Sequence, residues 1–337
     1  MKKILLVLML ILLAFSLIAC GGETPVTPDP TGCEHSFVET ERVEPRPMVD
    51  GSVTSVCSLC DEEKTEVLPK TRSIKVLAIG NSFSSDAVAY LYDICRSEGM
   101  TEIIIGNANI GGCSLDMHAG YIASNSSSYA YKKYSTVKGG YEEGVTLEHA
   151  LLDEDWDFIT LQQVSQDSGR SDTFGNLDKI ISYVSEKCPN AEIYWHMTWA
   201  YQQDTTHSGF KNYGSDQMTM YNAIVGATKE KILTNSAFEG AIPSGTAMQN
   251  LRTSYFGDNV TRDGYHARYG IGRMTIAMTW YGFFTGGDLD DVFWYPSGEH
   301  MAEVVMNWDL ITEAAKNALK SPFAVTQSAL TEAPEDV

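Results

Sequence analysis

The sequence predicts an α/β domain organised around a parallel sheet. Residues 74–79 are almost continuously apolar, which is typical of a strand buried on both faces of such a sheet. A helix is predicted to follow from about Ser85. Farther along the chain, residues 144–161 and 176–197 each have the pattern of a helix followed by a strand, and residues 222–233 that of another helix. This alternation favours parallel pairing of the strands.

The first twenty residues have the composition of an export signal. Two lysines precede an unbroken apolar run that ends at Cys20. This ending resembles the lipobox of bacterial lipoproteins, in which the cysteine is lipidated and becomes the mature N-terminus. Lipidation would hold the chain on a membrane of the cell envelope or surface, whereas a plain signal peptide with an incidental cysteine would not. Residues 21–32 are predicted to be a Gly/Pro/Thr-rich tether, and residues 321–337 a disordered tail.

The charge balance limits the classes of partner. The chain has 44 acidic and 24 basic residues, a formal net charge of -20. The sequence contains no basic stripe, and so strong a negative charge disfavours the phosphate backbone of nucleic acids. We therefore expect no nucleic-acid partner. Neutral or cationic partners such as glycans are compatible with this charge.

Residues 33–70 are predicted to form a small β-rich module with a ligand set of its own. Cys33 and His35 precede two β-rich segments, and Cys57 and Cys60 follow them. Three thiolates and one imidazole match a closed, tetrahedral zinc site, which would stabilise a segment too short for a large core. A disulfide is the first alternative, although it would leave one thiol unpaired and His35 without a role. A module without a cross-link is the second.

A serine lies in the turn between the predicted strand and helix. Gly80 and Asn81 precede Ser82 there, which puts Ser82 at the carboxyl end of the sheet, where α/β folds place their ligand sites. Asp263 and His266 share one later loop. Their spacing allows the carboxylate to orient the imidazole while the other ring nitrogen takes the serine proton. The alternative interpretation of Ser82 is a plain turn residue.

The chain resembles the GDSL/SGNH hydrolase superfamily in the G-N-S of residues 80–82, the glycines of residues 110–114 and the late D-x-x-H. More narrowly, it resembles a bacterial branch of that superfamily that is catalogued as a domain of unknown function. The resemblance covers most of residues 73–320. It implies a three-layer α/β/α fold with a flavodoxin-like parallel sheet, and serine-esterase chemistry. Asn81 stands where the superfamily usually has Asp.

The resemblance also implies an oxyanion hole. Its donors would be the backbone N–H groups of Ser82 and Gly112 and a side-chain amide from the superfamily's third sequence block. That block normally supplies an Asn, whereas residues 161–165 of this chain read Leu-Gln-Gln-Val-Ser. Gln163 is the expected donor, and its extra methylene would move the amide relative to that of an Asn.

An aromatic segment after another predicted strand contains His196, Trp199 and Tyr201. Two interpretations stay open for these side chains. They line the substrate pocket, where flat rings suit sugars, or they pack in the core. Residues 124–144 and 202–218 are predicted to be loops that shape the pocket.

These observations lead to one functional prediction and one alternative. We expect an exported serine esterase that removes an acyl group, in the first instance acetyl, from a carbohydrate by Ser-His-Asp catalysis. The lipid anchor and the implied fold suggest carbohydrate by association only. We expect no cofactor for the reaction, and zinc only in the module of residues 33–70. The alternative is a glycan-binding surface lipoprotein of the same fold, weakly active or inactive because its oxyanion hole is imperfect.

Overall fold

The computed structural model describes residues 32–333 of the 337-residue chain. The predicted signal peptide, Cys20 and nearly all of the predicted tether therefore lie outside the described residues. Within residues 32–333, no helix is both long enough and apolar enough to cross a bilayer.

The chain divides into two compact units. In the described part, the smaller unit comprises residues 32–41 and 54–65, and the larger unit comprises residues 42–53 and 66–333. The middle of the module predicted for residues 33–70 thus belongs to the larger unit, and the domain boundary near residue 70 stays a prediction. There the Met48 N–H donates to the Thr71 carbonyl at 3.0 Å.

The described residues form ten strands, ten α-helices and five short 3₁₀ helices. The strands are β1 (Phe37–Val43), β2 (Gly51–Cys57), β3 (Glu63–Leu68), β4 (Ser73–Gly80), β5 (Glu102–Asn109), β6 (Tyr129–Ser135), β7 (Gly140–Val145), β8 (Phe158–Leu161), β9 (Glu192–His196) and β10 (Gly240–Ile242). The helices are α1 (Ser82–Ala87), α2 (Leu91–Ser97), α3 (Leu115–Ala123), α4 (Leu147–Leu152), α5 (Leu177–Lys187), α6 (Gln217–Lys231), α7 (Ser244–Arg252), α8 (Ile271–Thr285), α9 (Met301–Met306) and α10 (Trp308–Lys320).

The larger sheet has the strand order β10-β9-β8-β4-β5-β6-β7, and β1-β2-β3 form a separate three-stranded sheet. The strands from β10 to β5 pair in parallel. Numbered along the chain, these five have the order 2-1-3-4-5, which is that of flavodoxin-like folds. The predicted parallel sheet is confirmed. Ligands of such folds bind at the carboxyl ends of the strands, where the direction of winding reverses, which here lies between β4 and β8.

An antiparallel hairpin of β6 and β7 extends the sheet beside β5. Residues 124–144 were predicted to be a loop, and this prediction was wrong for most of the segment. Tyr129 and Tyr131 lie two residues apart on β6 and are both buried, with exposures of 0% and 2%. This period of two is the strand pattern, although Ser and Gly residues around it indicated a loop.

Helices cover both faces of the larger sheet. α8 contacts α1, α2, α7 and α10, whereas α5 contacts α3 and α4. Except for Arg273 and Phe283, every residue of α8 is buried, as expected for a helix that is enclosed by its neighbours. The predicted three-layer α/β/α architecture is confirmed.

The segment after α10 packs on the larger unit. Thr246 Oγ1 donates to the Pro322 carbonyl at 2.6 Å, and the Thr326 N–H donates to Asn250 Oδ1 at 2.7 Å. The prediction of a disordered tail is therefore wrong for residues 321–333. Besides these backbone hydrogen bonds, the side chains of Phe323, Val325 and Leu330 pack against the core, although their spacing has no helical or strand periodicity.

A buried carboxylate joins α1 to α8 and to the loop before it. Asp86 is 1% exposed and lies 3.0 Å from the Arg262 guanidinium and 2.7 Å from that of Arg273. It also accepts the Ala267 N–H at 3.1 Å. A carboxylate with so little water needs charged partners, and here it has two. Asp86 thereby fixes residues 262–267 against the helix that begins with Ser82.

We predict that Asp86→Asn lowers the free energy of unfolding by about 3 kcal/mol, because it removes the charge partner of two guanidinium groups that are themselves partly buried. The matched control is Asp290→Asn, which breaks a solvent-exposed ion pair with Lys316 and should cost less than about 1 kcal/mol. Urea unfolding followed by circular dichroism measures both variants. Equal losses would contradict the role assigned to Asp86.

Candidate active site

Ser82 is the first residue of α1 and lies two residues after the end of β4. Asn81 is the N-cap of this helix, and its side-chain carbonyl accepts the Phe83 N–H at 3.0 Å. The helix thus begins three residues before the start predicted near Ser85, because Asn81 supplies the capping acceptor. Ser82 is half-buried at the carboxyl edge of the sheet.

The Asn81 side chain joins three segments of the chain. Its Oδ1 also accepts from Gln162 Nε2 at 2.8 Å, and its Nδ2 donates to the Cys113 carbonyl at 3.1 Å. Gln162 passes directly over Gly80, where a Cβ atom would lie 2.7 Å from the Gln162 side chain. Residue 80 is therefore glycine because of this close approach. The Asn81 amide sets the position of Ser82 relative to the ends of β5 and β8.

The structure brings together the three side chains that the sequence analysis combined. Ser82 Oγ lies 2.8 Å from His266 Nε2, and His266 Nδ1 lies 2.6 Å from Asp263 Oδ2. A carboxylate can only accept, so it holds the proton on Nδ1 and leaves the Nε2 lone pair facing the serine hydroxyl. The arrangement has the connectivity of a nucleophile, a general base and an orienting acid.

The loop of Asp263 and His266 is held by its own backbone. Asp263 Oδ1 accepts the N–H groups of His266 at 2.8 Å and of Tyr265 at 3.2 Å. Partial burial raises the pKa of Asp263, but the hydrogen bonds from the His266 ring and from these N–H groups outweigh it. The pKa of Asp263 therefore lies below its ordinary value, and the carboxylate stays charged as the pH falls through that value.

Two backbone N–H groups, one on Ser82 and one in the turn that Asn81 contacts, are available as donors. Within residues 32–333, neither the Ser82 N–H nor the Gly112 N–H donates to a protein acceptor. Gly112 lies in the exposed turn after β5, with φ of 64°, and the bond between Asn81 and the Cys113 carbonyl ties this turn to the nucleophile segment. Free N–H groups in such a place suit an oxyanion.

Gln163 does not present a free amide. Its Oε1 accepts the N–H groups of Leu115 and Val164, each at 2.9 Å, and its Nε2 donates to the Thr173 carbonyl at 3.1 Å and hydroxyl at 3.0 Å. The prediction of Gln163 as the side-chain oxyanion donor is therefore wrong for this structure. The amide is instead used to hold the start of α3 against the segment after β8.

The three aromatic candidates for the pocket are buried. His196, Trp199 and Tyr201 are at most 1% exposed, so the core interpretation is the correct one. Trp199 stacks on Phe83 with ring centroids 4.3 Å apart, and its Nε1 donates to the Tyr265 carbonyl at 2.7 Å. Trp199 therefore contacts both α1, which carries Ser82, and the loop that carries His266.

His196 orients a residue that the sequence analysis did not single out. Its Nδ1 lies 3.0 Å from Gln162 Oε1, and because an amide oxygen only accepts, the proton is on Nδ1. Burial lowers the pKa of His196 to about 3, so the ring is neutral. The ring turns the Gln162 amide so that its NH₂ group faces Asn81. Alternation at the end of β8 indicates that two adjacent glutamines point to opposite faces, but it does not indicate which of them reaches Asn81.

Two half-exposed rings beside His266 were also missed. The Tyr265 ring centroid lies 4.3 Å from that of His266, and the His207 centroid lies 4.8 Å from that of Tyr265. The position of Tyr265 inside the D-x-x-H motif was a usable signal. His207 lies in an irregular segment, and no pattern of the sequence pointed to it.

The four predicted metal ligands are gathered in the smaller unit. The ligand atoms of Cys33, His35, Cys57 and Cys60 all lie within 4.8 Å of one another. The sulfur atoms of Cys33 and Cys57 are 3.8 Å apart, and a tetrahedral zinc ion with Zn–S bonds of about 2.3 Å separates its sulfurs by about 3.8 Å. His35 Nε2 lies 3.3 Å from Glu62, the kind of carboxylate partner that metal-bound histidines have. This cluster could hold one metal ion.

A cavity of about 690 Å³ is formed by other residues of the larger unit. Its lining includes the carboxylates of Asp172, Asp178 and Glu230, and none of the residues around Ser82 contributes to it. An acidic lining alone does not identify a ligand. We therefore place the candidate active site at Ser82 and His266.

A family model described as "Domain of unknown function (DUF4886)" matches residues 75–304. No curated protein matches the chain.

Two solved structures illustrate the range of similarity. A DUF4886 family protein from Bacteroides uniformis ATCC 8492 is 41% identical, with a TM-score of 0.71 over 76% of this chain and 98% of that chain. An acetyl xylan esterase, AlAXEase, is 15% identical, with a TM-score of 0.41 over 62% of this chain and 99% of that chain. The family model covers more than half of the chain, and the predicted branch catalogued as a domain of unknown function is confirmed: the chain belongs to the DUF4886 family.

Proposed function

We propose that this DUF4886 protein is a serine hydrolase that cleaves ester bonds. The observation that carries the proposal is the continuous series of hydrogen bonds from Ser82 Oγ through the His266 ring to Asp263, at 2.8 Å and 2.6 Å. Asp86 and Asn81 support it, because they fix the two chain segments that supply these groups. Chemistry of this type needs no cofactor.

In the proposed reaction, His266 Nε2 takes the Ser82 hydroxyl proton as Oγ attacks the acyl carbon. The carbonyl oxygen becomes an oxyanion and accepts the N–H groups of Ser82 and Gly112. His266 then gives its proton to the leaving alcohol oxygen as the ester bond breaks, which leaves an acyl-Ser82. Water, deprotonated by His266, releases the acid and restores Ser82. Asp263 stabilises the imidazolium in both steps.

We further propose that the acyl group is acetyl and the alcohol a carbohydrate. The net charge of -20 disfavours anionic alcohols such as phosphorylated compounds, which supports a neutral alcohol. The predicted export signal supports an extracellular polymer as its source.

Substitution of the proposed triad tests the reaction. We predict that Ser82→Ala and His266→Ala each lower kcat for p-nitrophenyl acetate by at least about 10⁴-fold, and Asp263→Asn by about 10³-fold or more, because each removes a group that acts in the transition state. Ser85→Ala is the matched control: it removes a hydroxyl from the same helix that lies 2.8 Å from Asn107 Nδ2, and it should retain most of the activity.

A fluorophosphonate probe gives an independent readout. We expect it to label wild-type protein and Ser85→Ala but not Ser82→Ala. Folded wild-type protein that neither turns over the ester nor reacts with the probe would rule out the hydrolase. The glycan-binding alternative would then lead, and it is favoured over an efficient enzyme by the Gln163 amide, which is engaged by Thr173 and does not add a donor to the backbone N–H groups of Ser82 and Gly112.

We propose in addition that the Cys/His cluster binds a structural zinc ion. Three sulfurs and one imidazole nitrogen form the ligand set of closed zinc sites. The backbone N–H groups of Ser36 and Leu59 donate to Cys57 Sγ, each at 3.4 Å, and these hydrogen bonds favour the thiolate form of Cys57. A thiolate at neutral pH is the form that binds zinc.

Metal analysis tests the zinc site. We predict about one zinc ion per chain in protein purified without chelator, and loss of most of it in Cys57→Ser, because three ligands hold zinc far more weakly than four. Cys188→Ser is the matched control, since that thiol lies outside the cluster and contacts the Leu151 carbonyl, and it should keep its zinc. Zinc-free protein whose intact mass is two hydrogens short would show a disulfide and refute the proposal.

We also propose that Cys20 carries a lipid anchor, as the end of the export signal suggests. This residue lies outside the described part of the chain, and the support comes from the sequence alone. We predict that the protein expressed in a bacterium fractionates with membranes and that Cys20→Ser moves it to the soluble fraction or leaves it unprocessed. Equal membrane binding and equal mature mass of the two proteins would contradict lipidation.

A further inference from the structure

A row of aromatic rings leads away from the catalytic imidazole. The ring of Tyr265 lies 4.3 Å from that of His266, and the ring of His207 lies 4.8 Å from that of Tyr265, each measured between centroids. Both Tyr265 and His207 are half-buried, so each keeps part of its surface in solvent. The two rings lie next to each other on the His266 side of the site. We call Tyr265 and His207 the ring pair.

Neighbouring residues hold the ring pair in place. Tyr201 is buried and contacts both rings, with centroids 4.7 Å from His207 and 5.8 Å from Tyr265. The two loops that carry the ring pair are joined where the Gln202 N–H donates to the Gly264 carbonyl at 2.8 Å. A Cβ atom on Gly264 would meet the Thr205 side chain at 2.6 Å, so the loops are in direct contact. A rigid pair of this kind loses little entropy when it binds a ligand.

The ring pair also presents hydrogen-bonding groups without protein partners. His207 Nδ1 accepts the Gly209 N–H at 3.1 Å, which puts the proton of the neutral ring on Nε2. Burial, together with nearby His266, lowers the pKa of His207 and keeps its ring neutral. In residues 32–333 neither this Nε2–H nor the Tyr265 hydroxyl has a hydrogen-bond partner. Two polar groups therefore flank one partly exposed aromatic face.

The proposed mechanism indicates which part of the substrate lies near the ring pair. His266 returns its proton to the leaving alcohol oxygen, so this oxygen lies within hydrogen-bond distance of Nε2. The oxyanion lies at the other side, near the N–H groups of Ser82 and Gly112. We therefore place the body of the alcohol on the His266 side of the site, where the rings of Tyr265 and His207 are partly exposed.

We propose that Tyr265 and His207 form the subsite for the alcohol part of the substrate and that they select a sugar ring. A pyranose offers an apolar face of C–H groups to the Tyr265 ring and hydroxyl groups to the Tyr265 OH and the His207 Nε2–H. Binding sites usually fix the orientation of a small ligand with a few polar groups placed around an apolar surface. This inference rests on the proposed ester hydrolysis and names the residues that choose its alcohol.

The first test compares two acetate esters on the full-length protein. We take the ratio of kcat/KM for a methyl xylopyranoside with one acetyl group to kcat/KM for ethyl acetate. Tyr265→Leu keeps apolar bulk but removes the flat face and the hydroxyl. His207→Asn keeps an acceptor for the Gly209 N–H but removes the ring and its donor.

We expect the ratio to fall about tenfold in Tyr265→Leu and about fivefold in His207→Asn. Tyr141→Leu is the matched control, because this tyrosine is exposed on the edge strand β7, and it should keep the ratio within about twofold. A ratio that stays within twofold of wild type in both ring-pair variants overturns the subsite, as does a wild-type preference for ethyl acetate.

The second test measures binding without turnover. Calorimetric titration of Ser82→Ala with the same acetylated xyloside should give a Kd that rises about tenfold when Tyr265→Leu is added. If the wild type hydrolyses no ester but Tyr265→Leu still weakens sugar binding, the proposed hydrolysis fails and the subsite stands. If p-nitrophenyl acetate is hydrolysed but Ser82→Ala does not bind the xyloside, the subsite fails and the hydrolase stands.

Discussion

The site depends on one side-chain amide, that of Asn81. It caps α1 through the Phe83 N–H, accepts from Gln162 at the end of β8 and donates to the Cys113 carbonyl after β5. Three strands that are distant in sequence thus end on the same side chain. Because a buried amide is stable only when its donors and acceptor are all paired, the three segments cannot shift independently. Ser82, the next residue, takes its position from this junction.

The second junction is ionic and brings in the last third of the chain. Asp86, one turn after Ser82, binds Arg262 and Arg273, and so positions the loop of Asp263 and His266 from both of its ends. The first junction is the N-cap of α1, and the second lies within the same six-residue helix. Asn81 and Asp86 thus hold the two segments that supply the 2.8 Å hydrogen bond between Ser82 and His266.

Sequence patterns were sufficient where the relevant geometry is local. Asp263 and His266 lie in one tight loop, and the apolar run before Ser82 could only be a buried strand. Contacts between distant segments left weaker traces. The sequence of two adjacent glutamines does not indicate which one contacts Asn81. In the structure, Gln162 points toward the site, and Gln163 contacts Leu115 and Thr173 instead. The burial of Trp199 likewise depends on Phe83, more than a hundred residues earlier.

The direction of the hydrogen bonds below the nucleophile explains why residue 81 is not an aspartate. His196 donates to Gln162, Gln162 donates to Asn81, and Asn81 donates to the Cys113 carbonyl, so every proton along this relay points the same way. A carboxylate at position 81 could accept from Gln162 but would confront the Cys113 carbonyl with a second oxygen. This series of hydrogen bonds begins at the neutral, buried imidazole of His196 and ends on the loop that carries the Gly112 N–H. The asparagine is the link that makes a one-way chain of uncharged groups possible.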